Sequence, residues 1–224
     1  MPAVLTEYTM VKGLHASLAE KISSQFDKHA IILDIGAGAG AWLERLGMAG
    51  FENLYAIDKD PHRFQATKGQ FITANLDYED SILDGKVFHL ITSIEVIEHL
   101  ENPGRLFYDV SKLLAPEGYF LLTTPNLHSV LCRLRLLLTG NLRQFDAKGE
   151  PTHIYPVFLT PLQRLLAMHG LEIFETWTFP ETTSVTSRPA LKLLSVISSL
   201  FLKDDLPGDI LCLLIRRQSE SDES

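Results

Sequence analysis

The sequence predicts a doubly wound α/β fold, in which a parallel sheet is covered by helices on both faces. Short apolar runs alternate with helical patterns between about residues 31 and 124, as they do in βαβ units. The first apolar run passes into a glycine-rich loop and then into a helical pattern. The chain has 224 residues, of which 46% are hydrophobic and 21% charged, so it is long enough to form one packed core.

The predicted elements follow one another in a regular order. Strands are predicted at 30–35, 53–58, 70–73, 87–93, 118–124, 171–177 and 210–215. Leu14, Leu18 and Ile22 at helical spacing predict a helix in a cap formed by residues 1–29. Further helices are predicted at 39–49, 60–67, 103–114, 127–138 and 160–169.

We assign residues 1–218 to a single domain. Within it, residues 127–158 form a helical insertion after the fifth strand, and apolar residues at helical spacing predict an extra helix at 187–203. The polar residues 219–224 are expected to be a disordered tail.

The glycine-rich loop reads Asp34-Ile35-Gly36-Ala37-Gly38-Ala39-Gly40. Glycine allows a ligand to approach the backbone closely, and the following helix N-terminus presents free N–H groups and a partial positive charge. A strand, a glycine loop and a helix therefore suit a nucleotide. Gly36, Gly38 and Ala41 also satisfy the dinucleotide fingerprint G-x-G-x-x-G/A, so the loop alone does not choose between cofactors.

Two carboxylates favour a cationic cofactor. Asp34 lies two residues before Gly36, where it would repel a pyrophosphate but not the cationic methionine end of S-adenosylmethionine (SAM). Asp58 ends the next apolar run, about 20 residues beyond the loop, where a carboxylate hydrogen-bonds ribose hydroxyls. With the three glycines, these acids resemble the class I SAM-dependent methyltransferases.

This resemblance implies a Rossmann-like, mostly parallel seven-stranded sheet whose last strand is antiparallel and inserts beside the sixth. It also implies that the chain binds SAM. After the third strand, Asn75 or Asp77 would meet the adenine, and the backbone N–H of Leu76 would read its ring. The remaining implied cofactor contacts around the first two strands are Asp34, Gly36, Ala37, Gly38, Gly40, Asp58 and Lys59.

The block Ser93-Ile94-Glu95-Val96-Ile97-Glu98-His99 follows the fourth strand. It is similar to the block at this place in the ubiquinone-type and type 11/12/23 methyltransferase groups, which implies that Ser93 and Glu95 line the methionine end of SAM. In these groups a segment with a histidine and an aromatic residue lies over the methyl-acceptor side. His153 and Tyr155 match it, and His99 and His153 are candidate bases because imidazole titrates near neutral pH.

Glu95, Glu98 and His99 have the spacing i, i+3, i+4, so on a helical turn they would share one face. Two carboxylates and an imidazole can bind a divalent cation. The same pattern resembles the metal site of the small-RNA 3′-terminal 2′-O-methyltransferases, with His153 as a further match. Because E-V-x-E-H also occurs widely in methyltransferases that use no metal, we assign no metal ligands.

Net charge and hydropathy argue against some classes of binding partner and against a membrane-spanning segment. A net charge of −8 argues against binding to a phosphate backbone, so a nucleic acid partner is not expected. No apolar run reaches the roughly 18 residues that would span a bilayer, and the widely separated Cys132 and Cys212 suit a reduced, cytoplasmic setting. The apolar segment 189–203 is compatible with packing on the sheet, with an acceptor pocket or with a membrane surface.

The sequence therefore predicts a SAM-dependent methyltransferase that acts on an oxygen or nitrogen of a small-molecule or lipid-linked acceptor and releases S-adenosylhomocysteine (SAH). Three alternatives stay open: a metal-dependent RNA 2′-O-methyltransferase, an NAD-dependent oxidoreductase, and a binding protein that keeps the fold without catalysis.

Overall fold

The computed structural model describes residues 5, 9–75, 77–78, 83, 85–181 and 206–219. The predicted helix at 187–203 lies outside the described residues, as does the predicted tail from residue 220 onward.

A seven-stranded sheet forms the centre of the molecule, in the order β3-β2-β1-β4-β5-β7-β6. Strands β1 to β5 are parallel, and β7 runs antiparallel to both β5 and β6. The predicted mostly parallel sheet with an antiparallel last strand is thus confirmed. The strands are β1 (Ile31–Ile35), β2 (Asn53–Asp58), β3 (Gln70–Thr73), β4 (Phe88–Ile94), β5 (Leu114–Pro125), β6 (Leu171–Phe179) and β7 (Ile210–Arg217).

Helices cover both faces of the sheet because successive side chains of each strand point to opposite sides. Ile32 of β1 belongs to the core cluster that includes Leu14 and Leu46, whereas Leu33 belongs to the cluster on the other face. The helices are α1 (Leu14–Gln25), α2 (Ala41–Met48), α3 (Pro103–Leu113), α4 (Val130–Thr139) and α5 (Leu159–Ala167), with a short 3-10 helix at Ile97–His99.

The predicted helix at 60–67 is wrong, because this segment forms turns and irregular structure. The backbone N–H of Gln65 donates to the Ala39 carbonyl at 3.1 Å, and the N–H of Thr67 donates to the Glu44 carboxylate at 2.8 Å. A helix would use these donors within itself. Instead, they hold the segment against the glycine loop and α2.

The sheet topology places the glycine loop at the point where the strand order reverses. From β1 the chain winds outward through β2 to β3 and then returns to β4 on the other side of β1. In open α/β sheets, ligands bind in the crevice at the carboxyl ends of the strands beside such a point. Asp34 stands there, in register with Ala56 of β2 and Thr92 of β4.

No helix within the described part of the chain is both long enough and apolar enough to cross a membrane.

Candidate active site

A cavity of about 650 Å³ opens at the carboxyl edge of β1, β2 and β4. Its walls come from the ends of these strands and the loops after them, from the segment after β3, from the region of α1, and from Pro151, Thr152 and Ile154. Ten of the residues predicted from the sequence line it: Asp34, Gly36, Ala37, Gly38, Asp58, Lys59, Asn75, Asp77, Glu95 and His99. The topology thus brings together residues that the sequence spreads over 66 positions.

Two glycines of the loop have different surroundings. Gly38 has φ +53°, and a Cβ added there would meet no atom within 4 Å, so its backbone faces open space in the cavity. Gly40 does not line the cavity; a Cβ there would come within 2.6 Å of Ala66 Cβ. Gly40 lets the segment around Ala66 approach the loop, and the cofactor contact at Gly40 stays a prediction.

Asp58 at the end of β2 holds the glycine loop in place. Its Oδ2 accepts a hydrogen bond from the Gly38 N–H at 2.7 Å, and its Oδ1 accepts one from the Asp60 N–H at 3.0 Å. The N–H groups of Gly36 and Ala37 both donate to the Ile57 carbonyl, at 2.8 and 3.0 Å. The end of β2 thus shapes the loop besides presenting a carboxylate to the cavity.

Asp34 receives a chain of hydrogen bonds from α2 and β4. Trp42 Nε1–H donates to Thr92 Oγ1 at 3.1 Å, and the Thr92 hydroxyl donates to Asp34 Oδ1 at 2.8 Å. Burial raises the pKa of Asp34 to about 7, against the lowering effect of the Thr92 hydrogen bond. Trp42 and Thr92 were not predicted from the sequence, although a tryptophan in the first turn after the loop was a usable signal.

Asn75 and Asp77 line the side of the cavity after β3. Asn75 Oδ1 accepts from the Asp77 N–H at 3.1 Å, and Asp77 Oδ1 accepts from the Asn102 N–H at 2.9 Å. The two side chains therefore order the turn in which they stand. Leu76, for which a backbone contact is predicted, lies outside the described residues.

The block after β4 departs from the predicted helical turn. Glu95 has φ +54°, and only Ile97–His99 form a 3-10 helix. Glu95 Oε2 accepts from the Met10 N–H at 2.9 Å, so this carboxylate contacts the segment that leads into α1. The prediction that Glu95, Glu98 and His99 share one helical face is wrong.

Ser93 is fully buried and lies outside the cavity wall. Strand β4 continues to Ile94, so Ser93 is held inside the sheet, and Ile94, Glu95 and Val96 reach the cavity instead. The structure does not bring Ser93 to the position that the resemblance implies.

Glu98, His99 and His153 form a cluster beside the cavity, and one potential ligand atom from each lies within 4.8 Å of the others. Thr124 Oγ1 donates to Glu98 Oε2 at 3.1 Å, whereas Oε1 is buried with no hydrogen-bond partner among the described residues. His99 Nδ1 lies 3.2 Å from the Thr152 carbonyl, so Nδ1 carries the proton in that contact and Nε2 keeps its lone pair.

The electrostatics of this cluster favour neutral groups. Burial raises the pKa of Glu98 to about 8. Burial lowers the pKa of both imidazoles, and the neighbouring His99 further lowers that of His153. The two rings meet edge to face with centroids 4.8 Å apart. A buried carboxyl and two neutral imidazoles can hold either a proton or a divalent cation.

The structure separates the predicted acceptor residues. His99 lines the cavity, whereas His153 and Tyr155 do not. Tyr155 packs against the core on the α3 side, and its N–H donates to the Glu98 carbonyl at 3.0 Å. Thr152 and Ile154 line the cavity and were not predicted from the sequence, and the acceptor-site role of Tyr155 stays a prediction.

The fold and this cavity agree with a family-level match. A family model described as a methyltransferase domain matches residues 10–176, which include β1 to β5 and all the residues of the cavity wall except Thr9. The chain belongs to the class I SAM-dependent methyltransferase family. The residues that the family model matches also include Glu98, His99 and His153.

Curated relatives include the ubiquinone biosynthesis O-methyltransferase of Rickettsia akari, which is 27% identical over 169 residues, covering 70% of this chain and 66% of that protein. The mitochondrial ubiquinone biosynthesis O-methyltransferase of Schizosaccharomyces pombe is 27% identical over 139 residues, covering 57% and 49%. The chain therefore spans about half to two thirds of the length of these two methyltransferases.

Solved structures share the methyltransferase fold. A methyltransferase from Bacillus halodurans has a TM-score of 0.61 at 13% identity, covering 91% of this chain and 98% of that one. The magnesium protoporphyrin IX methyltransferase of Synechocystis, solved with bound SAH, has a TM-score of 0.59 at 14% identity, covering 92% and 82%. At these identities the likeness concerns the fold.

Proposed function

We propose that this chain binds SAM in the 650 Å³ cavity and transfers its methyl group to an oxygen or nitrogen of a small-molecule or lipid-linked acceptor. One observation carries the proposal: Asp34, the open backbone of Gly38 and Asp58 meet on one cavity at the switch point of the sheet. The family match and the SAH bound in the Synechocystis methyltransferase support the cofactor. The two curated relatives are O-methyltransferases by name, which favours an oxygen acceptor.

The residues present fit this cofactor. Gly38 leaves its backbone open to the ligand, and Asp58 and Asn75 offer acceptors for hydroxyl and amino hydrogens. When bound, SAM supplies a methyl group on an already activated sulfur. The protein then has mainly to align the acceptor, and alignment alone supplies about 7–11 kcal/mol of a barrier.

His99 is the candidate base on the cavity wall. It is half-buried, and its lowered pKa keeps the imidazole neutral at neutral pH. With Nδ1–H donating to the Thr152 carbonyl, Nε2 is free to accept a proton from an acceptor hydroxyl. His153 contacts the His99 ring and therefore acts on the acceptor through His99.

Calorimetric titration with SAH, and in parallel with NAD⁺, tests the proposed cofactor. SAH avoids turnover, and we expect it to bind while NAD⁺ does not, because Asp34 would face a pyrophosphate. Binding of NAD⁺ instead of SAH would favour the oxidoreductase alternative. Binding of neither would favour a methyltransferase fold kept for another purpose.

The Glu98–His99–His153 cluster favours a second candidate, metal-assisted methylation of a hydroxyl. A carboxylate and two imidazoles suit Zn²⁺ or Mn²⁺, and such an ion would supply a Lewis acid beside the acceptor. For this candidate we expect methyl transfer to stop on dialysis against a chelator and to return when metal is added. We also expect Glu98→Gln to abolish metal binding. Full activity in chelator would exclude it. The net charge of −8 disfavours RNA as the acceptor.

A further inference from the structure

Asp34 is a buried carboxyl group with few partners. The residue is 4% exposed, yet it contributes to the cavity wall. Among the described residues its carboxylate takes a single hydrogen bond, from the Thr92 hydroxyl to Oδ1. The Thr92 oxygen is itself engaged by Trp42 Nε1–H. This chain of donors fixes the position of Asp34 and leaves Oδ2 for a group in the cavity.

The charged groups around the cavity do not neutralise Asp34. Among the described residues no cation forms an ion pair with it, and the charge that acts on it is the like charge of Asp58. A charged carboxylate in this position is therefore both desolvated and repelled. The other titratable or charged groups that line the cavity are His15, Asp58, Lys59, Arg63, Asp77, Glu95 and His99.

We propose that Asp34 is neutral in the empty cavity and loses its proton when a ligand bearing an ammonium group binds beside it. The inference rests on the proposed function, because the ammonium is that of the methionine part of SAM or SAH. On binding, the O–H bond of Asp34 breaks, the proton passes to solvent buffer, and the carboxylate that forms pairs with the ammonium. Asp34 thus selects ligands by charge and couples cofactor binding to proton release.

The pKa of about 7 sets the range in which this coupling is visible. Below pH 7 most molecules of the empty protein carry the Asp34 proton, and a ligand cation lowers the pKa of the carboxyl well below that pH. At pH 6.5 we therefore expect roughly half a proton or more to be released per SAH bound, and close to none at pH 8.5.

Calorimetric titration with SAH in phosphate and in Tris measures this proton count, because the two buffers differ in ionisation enthalpy. Asp34→Asn keeps an oxygen for the Thr92 hydroxyl but has no proton to lose, so it should bind SAH without releasing one. Glu117→Gln changes an exposed carboxyl that does not line the cavity and should leave the proton count unchanged. With 5′-methylthioadenosine, which has no ammonium, the wild-type protein should release no proton.

The outcomes separate the inference from the proposed function. The inference is wrong, while the cofactor assignment stands, if the wild type binds SAH at pH 6.5 without releasing a proton. The same holds if Asp34→Asn releases as many protons per SAH bound as the wild type does. Equal proton release with SAH and 5′-methylthioadenosine would also overturn it, and this comparison decides the matter if Asp34→Asn fails to fold. If the wild type does not bind SAH, the proposed function itself fails.

Discussion

Glu98 shows how a single buried side chain links stability to pH. It is fully buried, and burial raises the pKa of its carboxyl from 4.5 to about 8. Between these values the folded protein binds more protons than the unfolded chain, so Glu98 makes the free energy of unfolding fall as pH rises from about 5 to above 8. The destabilisation is complete only once the pH has passed the folded-state pKa.

Glu98→Gln should remove this dependence, because the amide keeps an oxygen for the Thr124 hydroxyl and cannot ionise. We expect the Tm of the variant minus that of the wild type to be higher at pH 8.5 than at pH 5 by at least about 2–4 °C, which is equivalent to about 1 kcal/mol in a domain of this size. Thermal melts at both pH values measure it. The exposed Glu117→Gln is the control and should show no such gain; an equal gain would contradict the burial argument.

The glycine loop and the end of β2 act as one element. Asp58 accepts hydrogen bonds from the backbone of the loop and of the following turn, so Asp58→Ala removes both the charge facing the cavity and the support of Gly38. A hydrogen bond to a charged group contributes about 1.5–3 kcal/mol, so SAH affinity should fall by about tenfold or more. Glu52→Ala, an exposed acid at the other end of β2, should bind as the wild type does. Unchanged affinity in Asp58→Ala would contradict the assignment.

At the scale of elements, the sequence predicted all seven strands because their hydrophobic runs and glycine turns are local signals. It failed at 60–67, where the backbone donors of Gln65 and Thr67 bond to the glycine loop and α2. Local pattern contains no information on such a tertiary partner. Ser93 lies inside β4, which runs one residue further than predicted, and successive side chains of a strand point to opposite faces, so the strand pattern alone did not show that Ser93 would be buried away from the cavity.

At the scale of the whole molecule, parallel strands explain why distant residues share one cavity. Asp34 lies near the end of β1, Asp58 ends β2 and Glu95 follows β4, and these strands end at the same edge of the sheet. The motif residues were predictable because they sit at strand ends. The pairing of His99 with His153 rests on the path of the segment after α4, which no periodicity encodes; here the family resemblance, rather than pattern, pointed to His153.

The central claim is that this cavity holds the cofactor, and a matched pair of glycine variants tests it most directly. Gly38 and Gly140 both have positive φ, and a Cβ at either would meet no atom within 4 Å. Only Gly38 of the two lines the cavity; Gly140 ends α4. Both Gly→Leu changes therefore carry similar backbone strain, but only a leucine at position 38 fills the cavity.

The measurement is SAH affinity by calorimetry for Gly38→Leu and Gly140→Leu, with thermal melts to show that both variants fold. We predict that Gly38→Leu loses at least about tenfold in affinity, or about 1.4 kcal/mol, and that Gly140→Leu binds SAH as the wild type does. Wild-type affinity in a folded Gly38→Leu protein would contradict the account, because it would place the cofactor outside this cavity.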